Sequence, residues 1–156
     1  MKTKQNTLIS VAGCHEVQIH YKRPIFDIQQ KIKSSKDSHR ILRSFIDTNR
    51  IDHKEFFWIV LLTNANQVLG ISEIGLGCAT GVTVNIKEIC QLALLTNATA
   101  ILVAHNHPSG TLEPSLADKK LTEKLKHTLD FIDITLLDHI IITSEHYASF
   151  VDNNWM

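Results

Sequence analysis

Ala98-Thr99-Ala100-Ile101-Leu102-Val103-Ala104-His105-Asn106-His107-Pro108-Ser109-Gly110-Thr111-Leu112-Glu113-Pro114-Ser115-Leu116-Ala117-Asp118 joins an apolar, β-rich run to two histidines, a Pro-Gly break and an acidic helix start. Residues two apart on a strand point the same way, so His105 and His107 face one point in space. Pro108, Ser109 and Gly110 end the strand. Pro114-Ser115, followed by Leu116, Leu121 and Leu125 at helical spacing, predicts a new helix from near Ser115 and places Asp118 in its first turn. Folding that turn back over the strand end brings a carboxylate oxygen beside two imidazole nitrogens. Two neutral nitrogens and one hard oxygen, with a fourth position left for water, match a catalytic zinc site better than a closed structural one. About one Zn2+ per chain is expected.

Each part also has a purely structural explanation. Ser115-x-x-Asp118 resembles a capping box, and taken alone Asp118 reads as a cap rather than a ligand. His-x-His alone carries little weight in a chain with nine histidines. The combination carries the weight, because strand end, Pro-Gly loop and acidic helix start occur in the order that makes the three side chains converge.

Outward from this segment, Ser34-Ser35-Lys36-Asp37 predicts a helix start, and Ile41, Leu42, Phe45 and Ile46 form an apolar face running to about Arg50. Glu55 to Thr63 reads as a hydrophobic strand. Asn64-Ala65-Asn66-Gln67 is a turn, and Val68 to Gly75 returns as the antiparallel partner. Asn85-x-x-Glu88 opens a helix through Thr96, Ala98 to His105 is the next strand, and Ser115 to about Leu129 is a long helix. Ile134 to Thr143 and Tyr147 to Val151 complete the sheet. Upstream, Val17 to Tyr21 alternates as a short strand, and Pro24 to Lys33 reads as an extended lead-in or short helix. Mixed hairpin and crossover connections imply an α/β sandwich around a mixed sheet. The expected organisation is an N-terminal extension, residues 1–35, followed by one domain, residues 36–156.

A chain of 156 residues buries roughly 70% of its unfolded surface, enough for one core without disulfides. Cys14, Cys78 and Cys90 are odd in number and lack Cys-x-x-Cys spacing, so they are expected to be reduced and mostly buried. Met1 to Ser10 has no signal-peptide core, and no apolar run reaches membrane-spanning length, which points to a cytoplasmic protein without membrane contact. With 16 basic and 16 acidic side chains the formal net charge is zero, which gives nucleic-acid binding no support. Lys119, Lys120, Lys124 and Lys126 alternate with Asp118 and Glu123, the pattern of a solvated helix face.

The pattern His-x-His, seven residues, Ser, two residues, Asp is similar to the zinc signature of the JAB/MPN metalloprotease domain, also called JAMM. HNHPSG followed by PSxAD resembles its RadC branch in particular, and the similarity runs from about Glu55 to Trp155. It takes in Glu55 to Leu62, Ile86 to Leu94, Ile101 to Ala104 and Leu137 to Ile142. The resemblance implies the deaminase-like α-β-α arrangement, with His105, His107 and Asp118 as zinc ligands. It also implies that Glu55, before the first core strand, is the general base and then acid acting on a zinc-bound water. Ser115 would be a donor to the oxyanion formed as an amide carbonyl is attacked. Without the family, Glu55 reads as a solvated strand-end carboxylate. One Ser115 oxygen cannot fully serve as both helix cap and oxyanion donor.

The expected activity is therefore a zinc-dependent peptidase or isopeptidase acting on a peptide or protein. Two readings stand beside it. RadC relatives carry a DNA-repair label, so the alternative is a DNA-processing accessory module; residues 1–50 are short for the helix-hairpin-helix region of full-length relatives. A scaffold without turnover is disfavoured by the intact ligand triplet. His139, within the apolar run Ile134 to Ile142, reads as a core histidine satisfied by a neighbour, with a supporting role behind the ligands open to it. His15, His20, His39, His53, His127 and His146 lack ligand spacing.

Overall fold

The computed structural model describes residues 10–11, 14–15, 17–22, 30–76 and 84–156. β1 (Ser10–Val11) pairs antiparallel with β2 (Cys14–His15). There follow α1 (Ser35–Phe45), β3 (Phe56–Leu62), β4 (Val68–Leu76), α2 (Ile86–Leu95), β5 (Ala100–Asn106), α3 (Leu116–Asp130), β6 (Thr135–Ile142) and β7 (Tyr147–Ser149). The last five strands form one sheet in the order β4-β3-β5-β6-β7. Only β5 and β6 are parallel, and α3 is the crossover between them. The sheet is therefore mixed.

All of β3 is buried, because both faces of the sheet are covered. Phe56, Trp58, Val60 and Leu62 point to one face and pack with Ile41, Leu42 and Ile46, on and just after α1. Phe57, Ile59 and Leu61 point to the other and pack with Ile89 and Ala93 of α2 and Leu125 and Leu129 of α3. Period-two alternation thus feeds two cores, giving the α-β-α sandwich. Each fully buried Phe, Leu or Ile contributes about 1.5–3 kcal/mol, so these layers fix the sheet ends that carry the polar residues.

Ser34 caps α1, its Oγ accepting the Asp37 N–H at 3.3 Å, as the Ser34-Asp37 spacing predicts. The helix stops at Phe45 rather than running to Arg50. Asp47 Oδ1 accepts the Asn49 N–H at 3.0 Å, a local turn that competes with helix, and the turn lets Ile51 bury under the sheet. Val17 to Tyr21 is not a strand. Val17 and Ile19 lie in solvent at 95% and 80% exposure, so their alternation has no core face to serve. Of the lead-in from Pro24, residues 24–29 lie outside the described residues. Lys31 bridges Gln67 in antiparallel fashion and Ile32 is buried, so this end is extended. β7 ends at Ser149 instead of Val151, because residues 150–154 turn back and the Trp155 N–H reaches the Phe150 carbonyl at 2.8 Å.

Cys90 is a free, half-buried thiol, raised above its ordinary pKa by burial. The Cys78 side chain and that of Cys14 lie outside the described residues. Among the described residues no helix is long and apolar enough to cross a membrane.

Candidate metal centre

β5 delivers the histidines. His105 lies opposite Phe57 of β3 and Ile141 of β6, on the face covered by α3. One step beyond the strand, the His107 N–H donates to the Ile142 carbonyl at 3.0 Å, so its backbone is held by the sheet. The chain then turns sharply, with the Gly110 N–H on the His107 carbonyl at 3.0 Å and Gly110 at φ +80°. That left-handed conformation suits glycine, which has no Cβ to clash. The loop returns to Ser115, the N-cap of α3. Ser115 Oγ accepts the Asp118 N–H at 3.1 Å, and the Ser115 N–H donates to Asp118 Oδ2 at 2.7 Å. This reciprocal capping box locks Asp118 in the first turn, pointing back at the strand end.

Three ligand atoms converge there. His105 Nε2 and His107 Nε2 are 2.9 Å apart, Asp118 Oδ1 is 3.5 Å from the first, and Asp118 Oδ2 is 3.6 Å from the second. A tetrahedral ion with bonds of about 2.0–2.1 Å separates its ligands by roughly 3.3 Å; here the two histidine nitrogens and one Asp118 oxygen lie within 4.8 Å of one another, so the group is compact enough to gather round one ion. The remote nitrogens are engaged elsewhere. His107 Nδ1 donates to the Thr111 carbonyl at 2.7 Å, which leaves its Nε2 lone pair free. No fourth His, Cys, Asp or Glu joins the group among the described residues. Side-chain exposure is 4% for His105, 11% for His107 and 17% for Asp118, so the triangle opens to solvent on the His107 and Asp118 side. The residues therefore fit a metal ion with an accessible coordination position.

The local electrostatics favour positive charge. Burial works to raise the Asp118 carboxyl, but the facing His105 and His107 imidazoles outweigh it and hold it well below the usual carboxylate range. The Asp118 carboxylate raises His107 against opposing burial, helped by the Thr111 carbonyl and the charge of Glu55. Asp118 is thus an anion across the working pH range and His107 attracts a cation, whether proton or metal.

Behind the triangle lies a buried polar layer. His105 Nδ1 meets His139 Nε2 at 2.7 Å, His139 Nδ1 meets Thr122 Oγ1 at 2.6 Å, and the Thr122 hydroxyl donates to the Asp118 carbonyl at 2.7 Å. His139 is fully buried, and burial, with His105 beside it, pushes the imidazole well below its ordinary value. Its ring stacks on Phe150 and meets Phe57 edge-on. Asp138 pins the same stretch, its carboxylate accepting from Ser149 Oγ, the Val151 N–H and the His139 N–H.

Asn106 faces the opposite side. Its amide nitrogen donates to the carbonyls of Ile51 and Lys54, and its oxygen accepts the Phe56 N–H at 2.6 Å. Two of these partners flank Glu55, so the residue between the histidines clamps the backbone on both sides of that half-buried glutamate.

His105, His107 and Asp118 are brought together as the sequence predicts, and Ser115 joins them through the capping box and a further 2.6 Å contact from its Oγ to Asp118 Oδ2. Glu55 sits just before β3, near enough for its charge to act on His107. Among the described residues the remaining histidines stay outside the group; His39, for example, stacks on Tyr147. Asn106, Thr111 and Thr122 escape sequence reasoning. Thr122 lies one helical turn after Asp118, on the same face, which is the signal that could have found it.

The family model described as "RadC-like JAB domain" matches residues 32–155. A "UPF0758 protein" of Flavobacterium johnsoniae is 41% identical over 123 residues, covering 79% of this chain and 52% of that protein. A "UPF0758 protein" of Chromobacterium violaceum is 41% identical over 65% of this chain and 46% of that protein. One of Xylella fastidiosa is 38% identical over 73% of this chain and 51% of its own length. The chain thus spans about half the length of these relatives.

Proposed function

The chain belongs to the RadC-like JAB domain family, and from that premise we propose that it is a zinc-dependent hydrolase of amide bonds, a peptidase or isopeptidase. The observation that carries the reading is the open triangle of His105 Nε2, His107 Nε2 and an Asp118 carboxylate oxygen. Closed structural zinc sites use four protein ligands, whereas catalytic ones use three and leave a position for water or substrate. When bound, zinc would acidify water and polarise a carbonyl at neutral pH.

The chain's own residues do the rest. Glu55, held between the clamped Lys54 carbonyl and Phe56 N–H, takes a proton from water on its carboxylate and returns it to the departing amine nitrogen. Asp118 and the two histidines would hold the cation. Ser115 orients Asp118 through the capping box, and rotation about its C–O bond turns the hydroxyl hydrogen towards a substrate oxyanion. The substrate enters from the side of His107 and Asp118, where the triangle meets solvent.

The test compares wild type with Glu55→Gln on an unbiased peptide library, with zinc measured in both. The reading expects about one zinc per chain in each protein and cleavage by wild type alone. Zinc-free protein from a zinc-replete preparation, or equal cleavage by both, overturns it. Binding to duplex or single-stranded DNA that weakens steeply with salt, without peptide cleavage, would instead favour a DNA-processing role.

A further inference from the structure

His105 has two ring nitrogens, and only Nε2 faces His107 and Asp118. A neutral imidazole carries its hydrogen on one nitrogen, so His105 binds metal through Nε2 only when that hydrogen sits on Nδ1. What decides its position lies two side chains away. The Thr122 hydroxyl has a single hydrogen, and the Asp118 carbonyl, which can only accept, takes it at 2.7 Å. Thr122 Oγ1 is therefore an acceptor towards His139 Nδ1 at 2.6 Å, and that nitrogen must carry the His139 hydrogen. His139 Nε2 is then bare and accepts from His105 Nδ1 at 2.7 Å. The direction of each bond along Thr122, His139 and His105 Nδ1 follows from one backbone carbonyl.

We propose that Thr122 and His139 are positioning residues that set the tautomer of His105, so that the Asp118 carbonyl, through this chain, keeps His105 Nε2 open to the metal. The inference rests on the reading of the triangle as a metal site. Asp118 then serves the centre twice, through its carboxylate and through its main chain. The arrangement needs the β5-β6 parallel pair, which sets Val103 opposite His139 and so brings His139 under His105, and it needs α3 above them to supply Thr122. The Phe150 stack holds the His139 ring and Asp138 holds its backbone N–H, which fixes the side chain where both bonds form.

The decisive variant is Thr122→Val, which keeps the shape and removes the acceptor. His139 then gains by moving its hydrogen to Nε2, where it donates to His105 Nδ1. That forces the His105 hydrogen onto Nε2, the metal-facing nitrogen. Ring 15N spectra of the metal-free protein read this tautomer directly, and competition with a chromogenic chelator reads zinc affinity. Wild type should show His105 with hydrogen on Nδ1, the hydrogen in its 2.9 Å contact with His107 then sitting on His107 Nε2. Thr122→Val should show the His105 hydrogen on Nε2, with zinc affinity ~10–100-fold weaker, and Thr122→Ser should restore both.

His139→Gln, whose amide oxygen accepts in place of Nε2, should keep zinc within a few-fold, whereas His139→Phe should lose it. This pair decides the matter if Thr122→Val does not fold. Unchanged His105 ring signals together with wild-type zinc affinity in Thr122→Val overturn the proposal. Failure of wild type itself to bind zinc overturns the metal reading instead, and the ring spectra still report whether Thr122 controls His105.

Discussion

Asn106→Ala should be among the most damaging single changes outside the His105, His107 and Asp118 group. The Asn106 side chain is fully buried and satisfies the Ile51 carbonyl, the Lys54 carbonyl and the Phe56 N–H. Truncation strands these groups. Ile51 and Phe56 are almost wholly inaccessible, while Lys54 is half-buried and can turn to water. An unsatisfied buried group costs about 1–3 kcal/mol, so the two inaccessible partners alone give about 2–6 kcal/mol. In a domain of this size each kcal/mol lowers Tm by about 2–4 °C, so the midpoint should fall by about 10 °C. Calorimetry or thermal circular dichroism of metal-free protein measures it. Asn106→Asp, with nearly the same volume but no N–H to offer the two carbonyls, should be as harmful at neutral pH. Zinc affinity should change little in either variant, since sheet pairing holds His105 and His107, but catalysis should fall because Glu55 loses its clamp. A midpoint within about 2 °C of wild type for both variants would refute the reasoning, because it would mean that water replaces the amide at little cost.

Other consequences are equally direct. His107→Ala should abolish stoichiometric zinc in elemental analysis of purified protein, whereas Glu55→Gln should retain it; zinc retained in the first would remove His107 from the centre. Ser115→Ala should cost about 1 kcal/mol as a lost helix cap, a fall of about 2–4 °C in Tm, and a rate loss of ~10²-fold beyond that would mark its hydroxyl as an oxyanion donor. pH should act with opposite sign on the metal-free and metal-loaded forms. His107 is raised by Asp118, so its stabilisation is complete below its unfolded value and fades as pH rises through the raised folded one. Asp118 is lowered, so its share persists down to strong acid. The pair therefore stabilises metal-free protein most between about pH 4 and 6.5, whereas metal binding requires His107 without its proton. The gap in Tm between loaded and metal-free protein should widen from pH 6 to pH 8, and melts at both values would show a constant gap if His107 were not a ligand.

Much of this was legible because it is local. The run Ala100 to Asn106 is apolar up to its polar end, Gly110 and Pro108 break it, and Ser115-x-x-Asp118 ahead of leucines at helical spacing favours a helix start, so strand, turn and cap follow from short-range sterics and hydrogen bonding. The same logic failed at Val17 and Ile19, where alternation met no core, and at Asp47, where a side-chain turn ended α1 early. Periodicity reports which face a residue would present. It does not report whether anything lies opposite.

By itself the sequence determined that His105, His107 and Asp118 could converge as a group able to hold a metal, since a two-residue strand spacing and an N-cap three residues before a carboxylate are properties of the backbone. It also determined the three-layer class, because β3 is apolar at every position and must be covered on both faces. Only the tertiary structure decided what stands behind this group: His139 beneath His105 across 34 residues, Thr122 against His139, and Asn106 reaching back about 50 residues to the clamp around Glu55. The physical reason is that a buried polar group is satisfied by whichever partner the packed layers bring within about 3 Å, and that partner is chosen by strand order and crossover.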